Sequence, residues 1–236
     1  MSTMHTTTNL NKVLKILQVC DSTFPVGSFN HSYGMETYLR NSIIIDTPSL
    51  KKWLNIFLLN QFVYGEGLAV RLTYEYLEKN DKEAIWNLDT HMTVQNMAKE
   101  GRDGGKLVAY RMSELMLDLY YISLLKEYKQ RMRDEESYGN PAIVFAMVMK
   151  EIGVPVGDAV VYYGYSVIAT LIQNAVRTIP LGQRDGQILL NKSFDTLEEA
   201  YKRVSTLKEE DLGANIPGLE ISQINHETLT FRLFMS

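Results

Sequence analysis

The chain has 236 residues, 45% of them hydrophobic and 22% charged, with a formal net charge of −4. This is the composition of one folded domain; it excludes a disordered chain, and with no run of five or more Lys and Arg it offers no electrostatic footprint for nucleic acid. The single cysteine, Cys20, excludes an internal disulfide and any CxxC metal or redox motif, which makes a reducing compartment, the cytoplasm, the expected location.

The opening residues 1–9, MSTMHTTTN, are polar and are expected to be flexible; they lack the basic start and apolar run of a signal peptide. No window reaches roughly 18 uninterrupted apolar residues, so no membrane span is expected. From Leu10 the apolar positions Leu10, Val13, Leu14 and Leu17 recur at helical spacing, and the run stops where Asp21, Ser22 and Pro25 take over. Ser28 is placed to cap a second helix through Met35 and Leu39 to Arg40, with Gly34 inside it. Thr47 and Pro48 read as an N-cap and a first-turn proline, opening a long run through Leu50, Trp53, Phe57 and Leu58 that Gly65 and Gly67 bend without ending.

The run closes at Asn80, and Asp81 restarts a helix through Trp86. Gly101, Gly104 and Gly105 are expected to interrupt the pattern before another long helix from Lys106 to about Met132. RMRDEES, 131–137, reads as a solvated loop. Pro141 opens an apolar helix to Ile152 with Gly153 as its C-cap, and residues 156–178 form a helix apolar enough to be central. After Pro180 and Gly182 an amphipathic helix is expected from about Arg184 to Leu207, followed by a tail, residues 209–236, without sustained helical period. The expected fold is an all-α, single-domain bundle over residues 1–236 with roughly eight to ten helices.

The chemistry of catalysis finds little support. The four histidines His5, His31, His91 and His226 are scattered, with no HxxxH, and adjacent His226 and Glu227 cannot chelate by themselves. Cys20 reads as a small buried hydrophobe. Ser28 in VGSFN lacks a nucleophile elbow's second glycine, and neither a Walker A motif nor GxGxxG is present. Tyr and Met, 14 and 11 in number, suit a core and also protein–protein surfaces, so a binding module is the natural second reading of a helical core.

Three stretches carry more information: LQVCDSTFPVGSFNHSYGME from Leu17 to Glu36, NAVRTIPLGQRDGQ from Asn174 to Gln187, and the terminal HETLTFRLFMS. In this order and separation they resemble the signature segments of the urease accessory protein F (UreF) family. Glu100, Arg102 and Gly105 resemble a Glu-x-Arg element ahead of a glycine in the same family. The resemblance implies a non-catalytic, all-helical, cytoplasmic homodimer acting in urease maturation. It further implies that the protein joins accessory protein D (also called H) and the GTPase G in a complex on apo-urease. Nickel insertion is then coupled to GTP hydrolysis, with nickel and GTP carried by the partners and no cofactor bound by this chain. The competing classes are a helical adaptor unrelated to nickel and, further off, a helical enzyme using Glu36 or His31.

On that reading three groups of residues contact partners. The Pro25-Val26-Gly27 turn presents Ser28, Ser32 and Glu36 at turn spacing, with Gly34 permitting close approach; the same residues could instead only pack helix one on helix two. Arg177 and the turn after it place Gln183, Asp185 and Gln187 on a polar elbow, where Arg177 could also simply satisfy helix-end carbonyls; it is read as a contact residue and not as a catalytic one. The tail offers His226, Glu227, Arg232 and Phe234 as an anchor that orders on the D partner, against the alternative that it folds back on its own core.

Overall fold

The structure, a computed structural model, describes residues 3–27, 31–214 and 216–235. Ser28 therefore lies outside the described residues. Among those described there are helices and turns and no strand, as the periodicity predicts. In chain order the helices are α1 (Thr3–Cys20), α2 (Met35–Arg40), α3 (Thr47–Ile56), a π-helical segment (Phe57–Gly67), α4 (Leu68–Lys79) and α5 (Lys82–Gln95). They continue with α6 (Lys99–Leu119), α7 (Ser123–Arg133), α8 (Pro141–Ile152), α9 (Val156–Val176), α10 (Gln183–Lys192), α11 (Phe194–Val204), a 3-10 turn (Glu209–Asp211) and α12 (Pro217–His226).

The centre of the molecule is α8 and α9. Every residue from Ala142 to Met149 is buried, which is what a helix that is apolar all round requires. At about 1.5–3 kcal/mol for each fully buried large side chain, this continuous apolar helix anchors the core. Asn140 caps α8 by accepting from Ala142 N (2.9 Å), and Gly153 closes it at a left-handed φ of 79°. Helix α9 is long and apolar enough to cross a membrane by length and composition, but 61% of its most apolar window is buried inside the protein, as befits a core helix. Helices α4 and α6 pack on α8, α4 also on α9, and α10 and α11 on α9.

Several boundaries differ from the sequence expectation. Helix α1 begins at Thr3, within the stretch expected to be flexible. The N-cap of α3 is Asp46, whose side chain accepts from Ser49 N (2.9 Å) while Ser49 Oγ receives Asp46 N–H (3.1 Å); Thr47 already sits in the first turn. From Thr47 to Lys79 the chain is one rod, kinked where Gly65 leaves helical geometry (φ −115°, ψ −108°), so the glycines bend it without ending it.

Gly101, Gly104 and Gly105 lie inside α6 and do not interrupt it. Packing explains two of them: a Cβ on Gly104 would come within 2.2 Å of His31 Cε1, and one on Gly101 within 2.9 Å of the Asn96 amide. The expected helix from Lys106 to Met132 is instead divided at Tyr120–Ile122, where Tyr120 is extended (φ −138°, ψ 142°) with no Gly or Pro to signal it. The expected helix from Arg184 to Leu207 is likewise divided at Ser193, whose buried hydroxyl returns to Leu189 O (2.9 Å).

The charged stretch 131–137 is only partly a loop, since α7 runs through Arg133. Beyond it, the chain is held from beneath by Asp89, a fully buried carboxylate that accepts from Tyr128 Oη (2.7 Å), Tyr138 N (2.7 Å) and Gly139 N (3.0 Å). Tyr128 Oη in turn accepts from Asn140 N (2.9 Å). Burial raises the Asp89 pKa and these donors oppose it; they fix the chain at Tyr138 and Gly139 where it enters α8, while residues 133–136 stay exposed as a solvated stretch should.

Candidate functional site: a buried clasp and an exposed elbow

Residues 31–36 make a tight reversal into α2. Tyr33 (φ 52°) and Gly34 (φ 82°) are both left-handed, and Met35 N closes the turn on Ser32 O (2.9 Å). Gly34 is required twice over, by its φ and because a Cβ there would stand 2.4 Å from Ser222 Oγ of α12. Thr37 Oγ1 donates to Ser222 O (2.7 Å) and Gln223 Nε2 to Tyr33 O (3.4 Å), so α12 lies directly on this turn. Ser32 is buried, its hydroxyl accepting from Glu36 N (3.3 Å).

This approach brings Glu36 against the end of α12. The Glu36 side chain, 1% exposed, accepts from Leu233 N (2.8 Å), Phe234 N (3.0 Å) and Arg40 Nη2 (3.2 Å). His226, fully buried, bridges two carboxylates: Nε2 lies 3.0 Å from Glu36 Oε2 and Nδ1 2.7 Å from Glu100 Oε2. A neutral imidazole carries one N–H, so the ring donates to both only as the imidazolium. Glu100 stands in the first turn of α6, where the helix dipole favours a negative charge, and pairs also with Arg232. Glu227 Oε1 accepts from Lys99 N (2.8 Å), fastening the next residue of the tail to the same helix start.

Burial alone would raise the Glu36 pKa. The N–H groups of Leu233 and Phe234, with His226 and Arg40, outweigh it and hold the carboxyl below its ordinary value. At His31 the backbone carbonyl accepts from Asn174 Nδ2 (3.1 Å), the ring packs on Gly104, and burial lowers the pKa.

Of the residues singled out in the sequence, the fold therefore assembles Ser32, Gly34, Glu36, His226, Glu227, Arg232 and Phe234 into one clasp. Phe234 is buried against its own chain, and the tail contains a helix, α12, where none was expected. Its buried face, Leu219, Ser222 and His226, includes two polar residues, which hid its period in the sequence. Pro25 is exposed and Gly27 left-handed (φ 88°), both in the turn before α2.

Arg177, Gln183, Asp185 and Gln187 form a second, separate group. Arg177 ends α9 as its C-cap, and all four side chains are exposed. The residue that sequence reasoning left out of the site is Glu100, which supplies half of the His226 bridge. Its signals are the Glu-x-Arg resemblance and an acid in a helix first turn, the second masked by the glycines that follow.

Residues 44–193 match the UreF family. The chain is 46% identical to urease accessory protein UreF of Streptococcus salivarius over 228 residues, 97% of this chain and 96% of that one. The chain belongs to the UreF family. It is also 45% identical to urease accessory protein UreF of Lachnoclostridium phytofermentans, over 96% of this chain and 99% of that one, and 44% identical to that of a Bacillus species, over 96% and 100%. UreF family similarity thus runs through the turn before α2, the elbow after α9 and α12.

Proposed function

We propose that this protein is a non-catalytic accessory factor of urease maturation. It acts in the cytoplasm as a homodimeric scaffold that joins accessory protein D/H to the GTPase G on apo-urease, so that GTP hydrolysis drives nickel insertion. Nickel and GTP are carried by the partners. The observation that supports this reading best is identity of 46% across 97% of the chain to a urease accessory protein.

Two surfaces suit the partners. The clasped tail holds its backbone on Glu36 while Phe231, Leu233 and Met235 stay exposed, at 79%, 62% and 57%, an apolar strip presented in fixed geometry. The polar elbow at Arg177 and Gln183 is exposed and suits a charged or polar partner. The tail strip is assigned to the D partner and the elbow to the GTPase arm of the complex.

Co-purification tests the reading. Mixed with its D partner, the protein is expected to capture the nucleotide-bound GTPase; failure to form that complex overturns the scaffold. Phe231→Ala together with Leu233→Ala is expected to weaken D binding at least tenfold while leaving the fold intact, and unchanged binding removes the tail strip from the contact.

A further inference from the structure

A cavity of about 140 Å³ opens between the π-helical segment, the start of α6 and α12, apart from the clasp residues. Its wall includes Glu66, Tyr33, Arg102, Gly105 and Gln223. A Cβ on Gly65 or Gly105 would meet nothing within 4 Å, so packing does not demand glycine at either position; the missing side chains keep the space open. The π-helical stretch supplies Glu66 just after Gly65, where the backbone leaves helical geometry, a kind of irregularity that recurs at functional sites.

Glu66 makes no hydrogen bond or ion pair with any described residue; burial is the one influence on its carboxyl, pushing it up to about 7. Arg102, the arginine in the wall, turns its Nη1 to Asn96 O (2.7 Å) and Met97 O (2.9 Å) and makes no ion pair with Glu66. His31, also in the wall, has its pKa lowered by burial and does not supply the charge. Burial chiefly, and after it the nearby Glu66, raise the pKa values of Tyr33 and Tyr163, which places both phenols in the field of that carboxyl. Gln223 gives its N–H to Tyr33 O, which leaves its amide oxygen as an acceptor.

An acidic group without a counter-charge, an aromatic ring and an amide acceptor together call for a cationic ligand rich in N–H donors. We propose that this cavity is a receptor for one guanidinium group, gripped by the Glu66 carboxylate with Tyr33 and the Gln223 amide beside it. The planar fork of a guanidinium meets a carboxylate through two parallel N–H···O bonds, which an ammonium cannot do. The space admits it, since one water needs only roughly 10–15 Å³. Among the described residues no group of three or more His, Cys, Asp or Glu is set to hold a metal ion, so the donor set is that of an organic cation. The source is either an arginine side chain of a protein or a free guanidino compound. This proposal does not depend on the urease reading and fails independently of it.

The test uses the full chain with carbon-13-labelled glutamate, following the Glu66 carboxyl through a pH titration by NMR, its signal assigned by loss in Glu66→Gln. Methylguanidinium chloride is expected to lower the Glu66 midpoint saturably by about one unit relative to potassium chloride at equal ionic strength, with a smaller shift from tetramethylammonium. N-acetyl-arginine methylamide and agmatine are titrated in parallel: tighter binding of the capped arginine assigns the site to a protein side chain, tighter binding of agmatine to a small molecule. Glu66→Gln, checked for native helicity by circular dichroism, is expected to lose the accompanying Tyr33 ring shifts. A midpoint already in the ordinary carboxylate range without ligand would overturn the proposal, because Arg102 or another group would then fill the site. No saturable response to methylguanidinium, or an equal one to tetramethylammonium, would overturn it as well.

Discussion

The clasp and the elbow are built from the same kinds of residue, acids, arginines and amides, and the fold treats them in opposite ways. In the clasp every carboxylate is spoken for: Glu36 has backbone, imidazole and guanidinium partners, and Glu100 and Arg232 complete the set. In the elbow, Arg177, Gln183, Asp185 and Gln187 stand in solvent. The difference teaches that polar signature segments of one chain can divide their labour. One fixes the shape of a surface from beneath, and the other is itself a surface. Charges of the first kind are costly to remove, and those of the second kind are free to be used by a partner.

The largest effect is expected from Glu36→Ala, which strips the partners from His226, Leu233 and Phe234 at once. About 3–5 kcal/mol of stability should be lost, the cost of leaving a buried ion pair with one member, read as a lower midpoint in urea unfolding. A loss below about 1 kcal/mol would show that the clasp is not the buried network described here. Acid should act on the same bonds more gradually. The folded pKa of Glu36 lies below its ordinary value, so its contribution is complete above about pH 4.5 and is lost as pH falls through the folded value. Amide exchange at Leu233 and Phe234 should therefore accelerate on acidification, after correction for the intrinsic rate, while no such acid-linked change is expected at Arg177.

Gly34→Ala is expected to cost about 1–3 kcal/mol, since alanine pays for the left-handed φ and its Cβ collides with Ser222. Thermal unfolding would reveal this; a neutral outcome would mean that α12 stands further from the turn. Smallest of all, Arg177→Ala and Gln183→Ala should alter stability by no more than about 0.5 kcal/mol. They should nevertheless reduce urease activation in a reconstituted maturation assay. Normal activation in both variants would take the elbow out of the partner surface.

Much of the scaffold was legible in the sequence because its signals were local. Asp81 caps α5, Asn140 and Pro141 start α8, Gly153 ends it, and the unbroken apolar run of α8 and α9 marks the core. The misread elements are those whose cause lies elsewhere in the chain. Gly104 persists in α6 because the His31 ring needs its space, and the breaks at Tyr120–Ile122 and Ser193 carry no Gly or Pro. The clasp follows the same logic. His226 and Glu227 announce nothing as neighbours in sequence, and only the packing of α12 on α2 brings the imidazole between Glu36 and Glu100. Asp89 is a further case, an acid mid-helix whose function, pinning the loop before α8, depends on Tyr128, Tyr138 and Gly139.

The claim on which the rest stands is that the tail acquires its shape from its own chain before any partner arrives. Hydrogen exchange of the Leu233 and Phe234 amides in the isolated protein tests it. Both should be protected relative to the exposed residues around them, and both should lose that protection in Glu36→Ala. Exchange at unstructured-peptide rates in the unaltered protein, with protection appearing only when a partner is added, would contradict it.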